Sequence, residues 1–384
     1  MLRSKLASLS LATLVAASFA ACDRGPLFNV TNAVPISASQ PTFALGWDSS
    51  ELRHPRVDVF SFDGARFVRS SGMSLSFVHP ASIIAAVEAP FPVLVQRSSG
   101  AVFATGPDGF VLAPIFGNPT LSSLTALFLA IDTDPTNARP ALVGFDDRGR
   151  VQWRREFDPT VRCATSSLAT PDRTRAIVFE SQGCTAQSTL VVLDARGAAT
   201  LNIAHEALSN PPEGRGLSQP SVAVRDDMSV AITTQSQLAN GRPIGAVHIL
   251  SPSNPTPARF DFEHFNPLSI APIGTSRWLV AGAQSVYTVH DGRIPYTSRD
   301  ESFEAFVIDD EGRTSERVKL ATYYGGAVHT LVATPRGTAL VFASSPGVAP
   351  RVLVFGPDGR KLTDSRMDLA AVAREVEPPL SSQR

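Results

Sequence analysis

Cysteine is nearly absent from this chain: only Cys22, Cys163 and Cys184 occur in 384 residues. A disulfide-dense scaffold and a four-cysteine zinc module are thereby excluded. Lysine is as scarce, at Lys5, Lys319 and Lys361, and arginine supplies the other positive charges. The composition of a GC-rich genome accounts for that bias, because anion recognition by arginine needs a cluster and none is visible. The formal net charge is −1, which excludes a broad electrostatic pull toward nucleic acid or anionic lipid. Charged residues make up 18% of the chain and hydrophobic ones 43%, enough apolar content for a core and too little charge for a disordered chain.

Motifs that announce chemistry are missing as well. There is no GxSxG, no HExxH, no Walker loop and no GxGxxG after a strand. No catalytic, cofactor-binding or metal-ligating residue is assigned on these grounds. The histidines (54, 79, 205, 248, 264, 290 and 329) are scattered without ligand spacing. His264 and His329 fall near repeat entrances, where ordinary surface or turn histidines are expected in preference to channel-facing ones. Asp132, Asp134 and Asn137 offer closely spaced oxygens of the kind calcium favours, but the glycine and further ligands of an EF-hand loop are absent, so a turn is expected. The pairs Asp146/Asp147, Asp226/Asp227 and Asp309/Asp310 recur at equivalent turns, which points to turn chemistry. Trp47, Trp153 and Trp278 are expected to pack within the fold. The acceptor pattern at Asn29 carries no weight by itself.

Long apolar runs are confined to the N-terminus. Residues 1–5 carry Arg3 and Lys5, and residues 6–21 are uncharged, apolar or small. This is a charged n-region followed by an h-region too short for a comfortable membrane span. The next such run, residues 124–131, is far shorter than a spanning helix needs. Ala20 and Ala21 directly before Cys22 resemble the lipobox of bacterial lipoproteins, with Phe19 where leucine is commonest. The resemblance implies cleavage before Cys22 and lipid attachment to it. Asp23 resembles the inner-membrane retention signal of enteric bacteria. The expected boundaries are a signal peptide over 1–21, a lipidated cysteine and tether over 22–40, a folded region over 41–365 and a C-terminal tail over 366–384.

An exported chain matures in an oxidising compartment, so Cys163 and Cys184 are expected to form a disulfide. They flank the turn at residues 170–173, and folding that segment as a hairpin brings them roughly opposite. A two-cysteine metal site is the rival, without nearby histidines at zinc spacing.

What the chain does have is a repeat. "LVVLDARGAATL" from Leu190 matches "LVGFDDRGRVQW" from Leu142, "FVIDDEGRTSER" from Phe306 and "VLVFGPDGRKLT" from Val352. Each reads as a strand, an Asp- and Gly-containing turn and an alternating second strand. A second recurring hairpin lies upstream: "ATPDRTRAIVF" from Ala169 is echoed by "ATPRGTALVF" from Ala333. Two hairpins per unit make a four-stranded meander. The turn glycines Gly64, Gly109, Gly149, Gly197, Gly312 and Gly359 follow one another at 40 to 48 residues, except for a gap of 115 that holds one more unit near Asn254. That period is the signature of β-propeller blades, which cover one another's faces around an axis and leave few exposed edges. The expectation is an all-β propeller of four-stranded antiparallel blades, seven by count with six or eight as alternatives, and a β-sandwich pair as the rival fold. The first blade, over 41–70, lacks a strand, which a segment such as 28–37 or one near the C-terminus would supply. Interruptions are expected at residues 209–220 and as an extra hairpin from Val286.

Asp146, Gly149 and Trp153 are similar to the outer-strand pattern of quinoprotein-like repeats, in which a tryptophan four residues after the turn glycine docks on a neighbouring blade. Leu201, Glu316 and Thr363 replace it in other repeats, and the paired cysteines of quinone-binding members are absent. The resemblance implies a lipid-anchored, non-catalytic propeller without a cofactor, of the kind that scaffolds envelope assemblies. The function expected is a binding or scaffolding module for envelope proteins, lipid-anchored to the cell membrane or outer membrane, monomeric by itself and without a nucleic-acid partner. The alternatives are a propeller-class lactonase, lyase or glycan hydrolase, or a sensor of a small ligand or sugar at the channel mouth.

Overall fold

The computed structural model describes residues 28–37, 39–49, 52, 55–74, 82–87, 93–98, 101–105, 110–111, 121–124, 126–133, 140–146, 150–157, 163–181, 188–204, 221–237, 243–284, 302–321, 328–343 and 348–376, some by backbone alone. Their strands form seven four-stranded antiparallel sheets, spanning 28–74, 82–111, 121–156, 163–204, 222–263, 265–321 and 328–366. Within each sheet the strands follow chain order, so every sheet is an up-and-down meander. Burial follows strand position. In the last sheet, the second strand β26 (Gly337–Ala343) is buried throughout, whereas the fourth, β28 (Lys361–Arg366), alternates between exposed and half-buried. A strand covered on both faces needs a continuous apolar run, and a rim strand needs only alternation.

Neighbouring sheets pack face to face. Leu129 and Leu142 of the third sheet meet Val178 and Val191 of the fourth, and Ile177 and Val192 of the fourth meet Val222 and Val230 of the fifth. Phe262 of the fifth reaches Phe306 of the sixth at a ring separation of 5.3 Å, and Phe303 of the sixth stacks on Phe342 of the seventh at 4.6 Å. The first strand β1 (Phe28–Ser37) lies against both β5 (Ser82–Val87) of the second sheet and β25 (Val328–Thr334) of the seventh, which closes the circle. The architecture is a β-propeller of four-stranded antiparallel blades.

Two expected boundaries change. The tether was expected to run to residue 40, but residues 28–37 form the innermost strand of the first sheet, paired with β2 (Thr42–Ser49) from Phe28↔Ser49 to Ser37↔Thr42. Without it the inner edge of that sheet would have no partner. The segment from residue 366 onward was expected to be a loose tail, but α1 (Leu369–Val376) buries Leu369 and Ala373 where the first and seventh sheets meet. Its apolar residues recur at helical spacing and cover Phe28 and Trp47 beside Val352 and Val354. The interruption at 209–220 and the extra hairpin from Val286 lie outside the described residues.

The first sheet also holds a charge cluster. Asp58 is fully buried, and its carboxylate accepts from Arg56 at 3.0 Å, Arg69 at 2.7 Å and Trp47 Nε1 at 2.8 Å. Gly72 is required beside it, since a Cβ there would stand 1.8 Å from Asp58 Oδ1. Arg69 continues the chain of contacts to Glu375 of α1 at 2.9 Å.

Candidate functional site

The meander gives the ring two unlike faces. Turns joining first to second and third to fourth strands lie on one face. The strand ends at which second strands lead to third, and at which one sheet leads to the next, lie on the other. Most turn aspartates act as the sequence suggested. Asp146, Asp194, Asp309 and Asp358 each accept backbone N–H bonds from their own turn, for example Asp194 from Arg196 and Ala198 at 2.8 and 3.0 Å.

Asp310 is an exception to pure turn chemistry. It accepts Arg225 of the fifth sheet at 2.9 Å and Trp278 Nε1 at 2.9 Å, while the Arg225 guanidinium lies 4.8 Å from the Trp278 ring. Asp227 completes the node at 3.1 Å from Arg225. Burial alone would raise the Asp227 carboxyl, but hydrogen bonds from Ser229 and Arg225 outweigh it and hold it below the usual carboxylate range. The node locks two sheets together and is structural. Trp153 docks likewise between sheets: its Nε1 donates to Ala195 O at 2.9 Å, and its ring lies over Gly197, whose φ is +79°.

One turn behaves differently. Residues 170–174, between β13 (Cys163–Ala169) and β14 (Ala176–Ser181) of the fourth sheet, reach across the axis. Pro171 O accepts the Ala333 N–H of the seventh sheet at 3.2 Å. Arg173 donates Nε and Nη2 to Pro35 O of the first sheet at 3.1 and 3.0 Å. Both partners are three sheets away around the ring, so these contacts run through its centre. Arg173 has φ +62°, and Met228 takes φ +63° at the matching place in the fifth sheet's turn, so the left-handed backbone belongs to the turn type. What is particular to the fourth sheet is the arginine and its reach.

Beside this turn lies an axial cavity of about 300 Å³, lined by inner strands of the first, fifth, sixth and seventh sheets and by residues 169–173. Its polar wall includes Asn32, Ser221, Ser269, His329, Thr330 and Arg173, and Ala33, Val222, Ile270 and Leu331 provide apolar surface. Among the described residues, Arg173 is the only charged one in the lining. Burial lowers the Arg173 guanidinium to about 10, with Asp172 partly offsetting, so it stays protonated at neutral pH. Burial pushes His329 down to about 4, so its imidazole is neutral there. Ser269 Oγ is buried without a hydrogen-bond partner among the described residues.

His329 was expected to be an ordinary surface or turn histidine. It sits inside β25 instead, its ring 5.0 Å from that of Phe303, and lines the cavity, because an innermost strand turns its residues to the axis. His264 does occupy a turn, at φ +58°, outside the cavity lining. Trp47 and Trp278 are buried within the sheets, in keeping with packing roles. Cys163 is the first residue of β13, its backbone opposite Ser181. Cys22 and Cys184 lie outside the described residues, as do Asp134 and Asn137. No group of three or more metal-ligating side chains is found among the described residues, and none of their helices is long and apolar enough to cross a membrane. Arg173, Asn32 and Ser269 carried no signal in the linear sequence, since only the ring brings them together.

Comparison with known proteins supports the class defined by this geometry. No protein-family model and no curated protein matches the chain. Among solved structures, one of a prolyl endopeptidase aligns with a TM-score of 0.51 and 14% identity, over 95% of this chain and 54% of that one. Prolyl oligopeptidase B from Galerina marginata, bound to a 35mer hydrolysis and macrocyclization substrate, aligns at 0.51 and 10% identity, over 95% and 55%. This chain therefore spans about half the length of either. A TolB-type protein from Agrobacterium tumefaciens aligns at 0.37 with 13% identity, over 79% and 94%. At such identities the likeness concerns the fold alone.

Proposed function

We propose that this chain is an exported bacterial lipoprotein whose propeller is held at an envelope membrane through lipid on Cys22 and acts there as a binding or scaffolding module for envelope proteins. The observation that carries this reading is the start of β1 at Phe28, only six residues after Cys22. Six extended residues span roughly 20 Å. A ring on so short a leash is held beside the bilayer by the face where β1 begins, which carries the inter-sheet links. The opposite face, built of tight turns, and the outer rim then remain open to partners. The proposed Cys163–Cys184 disulfide would staple the fourth sheet, whose turn crosses the axis.

The experiment is a detergent-solubilised pull-down from native membranes with the intact chain and with Cys22→Ala, together with labelling by a radioactive fatty acid. Label on the intact chain alone, with a stoichiometric envelope protein recovered, supports the reading. Absence of label removes the anchor, and absence of a partner with either form removes the scaffold. The axial cavity favours a second role for the same ring, as a receptor for a small ligand.

A further inference from the structure

We infer that the axial cavity is a binding site for a short peptide, held through its own backbone by the inner edges of the first strands; this rests on the reading of the cavity as a small-ligand site. The first strand of each sheet has a ladder partner on one side only, so every second residue directs its N–H and C=O to the axis. In β25 those residues include Leu331 and Ala333. Thr334 pairs with Gly337 across a two-residue turn, and Ala333 sends its N–H to Pro171 O at 3.2 Å and not to β26. In the fifth sheet Thr233 N–H donates to Ser221 O at 2.9 Å, which leaves Val222 directed to the axis. Pro35 and Ile270 are directed the same way: Pro35 O accepts Arg173, and Ile270 N–H donates to Ser221 Oγ at 3.3 Å.

These contacts show what the wall recognises. Where the chain's own turn reaches it, a backbone carbonyl meets an axis-directed N–H, and a guanidinium meets an axis-directed carbonyl. Pro35 stands where a missing N–H costs no ladder bond. Further along the same wall, the axis-directed N–H and C=O of Leu331 and of Val222 have no partner among the described residues, and both residues are buried and line the cavity. Buried backbone groups need partners, and an extended peptide offers them at the spacing a strand edge repeats. Ser269 Oγ, buried at the lining without a partner among the described residues, is a further group for it to meet. The volume of about 300 Å³ sets the length, since a compact space of that size is roughly 7 Å across, the reach of about two extended residues. Such a space admits small side chains only.

The test is titration calorimetry with hydrogen–deuterium exchange, read by mass spectrometry, on the full chain in detergent. The probes are N-acetyl-Ala-Ala-amide, its analogue N-methylated at the central peptide bond, and dialanine, with glucose and benzoate as non-peptide ligands of similar size. At least one of the two unmethylated peptides should bind saturably below about 10 mM. It should slow exchange in the segments holding Val222 and Leu331 and leave residues 361–366 of the rim unchanged. N-methylation should weaken binding at least tenfold, because it removes a backbone donor that the wall reads. Ser269→Leu, which fills the cavity, should abolish binding, with its melting temperature reporting that the ring has folded. Exchange on the unaltered chain decides the matter if that variant misfolds. Tighter binding of the capped peptide than of dialanine assigns the ligand to a segment within a longer chain, and the reverse assigns it to a free peptide. The inference is overturned if neither peptide binds, if the N-methyl analogue binds equally well, or if protection misses the inner strands. Glucose or benzoate protecting those strands while no peptide does would overturn it and leave the small-ligand reading standing. Protection by none of the probes would remove both.

Discussion

At the scale of the residue, burial decides what a side chain does. His329 has an unperturbed value near 6.5 and a folded one near 4, because the inner strand keeps it from water. Between those values the unfolded chain binds a proton that the folded chain refuses. Stability is therefore fully present above about pH 6.5, falls as the pH drops toward 4, and changes no further below that from this group. The loss should reach about 3 kcal/mol across the window. Urea unfolding at a series of pH values checks it: His329→Gln should flatten the slope between pH 4 and 6.5, and an unchanged slope would refute the assignment. Asp364 behaves in the opposite sense. Hydrogen bonds from Arg351 and Lys361 hold it near 2, so its contribution is present above the ordinary carboxylate range and lost as the pH falls through 2. Its partial exposure keeps that contribution small.

Individual elements of the ring hold together through their turns. Trp153 rests on Gly197 of the next sheet, and a Cβ at Gly197 would approach the indole to 2.8 Å while the backbone stays at φ +79°. Gly197→Ala should cost about 1 to 3 kcal/mol, part from left-handed backbone and part from displacing the ring. In a Trp153→Ala background only the backbone part should remain, so a double-mutant cycle by chemical denaturation should show coupling. Full additivity would mean that the indole does not dock there. Much of this level was legible in advance. The Asp–Gly turns and their period are local chemistry, and Trp153 stood out by its spacing from Gly149. Phe260 was not legible as a counterpart, although it packs on Gly312 of the sixth sheet in the same way. Its turn, at residues 252–253, has no glycine to mark the register.

For the whole molecule, closure is the decisive event. The last sheet meets the first through Val332, Val341 and Val354 against Phe43, Leu45 and Phe60, and α1 seals the seam with Leu369 and Ala373. A chain ended after Arg366 would lose those two contacts, the burial of Met367 and the Arg69–Glu375 pair. The expected cost is about 4 kcal/mol, from roughly 2 kcal/mol for each large apolar side chain returned to water. A urea midpoint equal to that of the full chain would show that α1 is dispensable.

The repeat, its four-stranded unit, the turn aspartates and the need for one more strand in the first sheet follow from the sequence by itself, because each depends on neighbours a few residues apart or on a regular period. The tertiary structure alone decided three things. It moved the end of the tether from residue 40 back to Phe28, since the inner edge of the first sheet needs a hydrogen-bonding partner. It turned an expected tail into a helix, since the seam between the first and seventh sheets offers apolar surface to cover. It also gathered Asn32, Arg173, Ser269 and His329, distant in sequence, around one cavity. No local pattern marks residues that meet at an axis, because what they share is the radius of the ring.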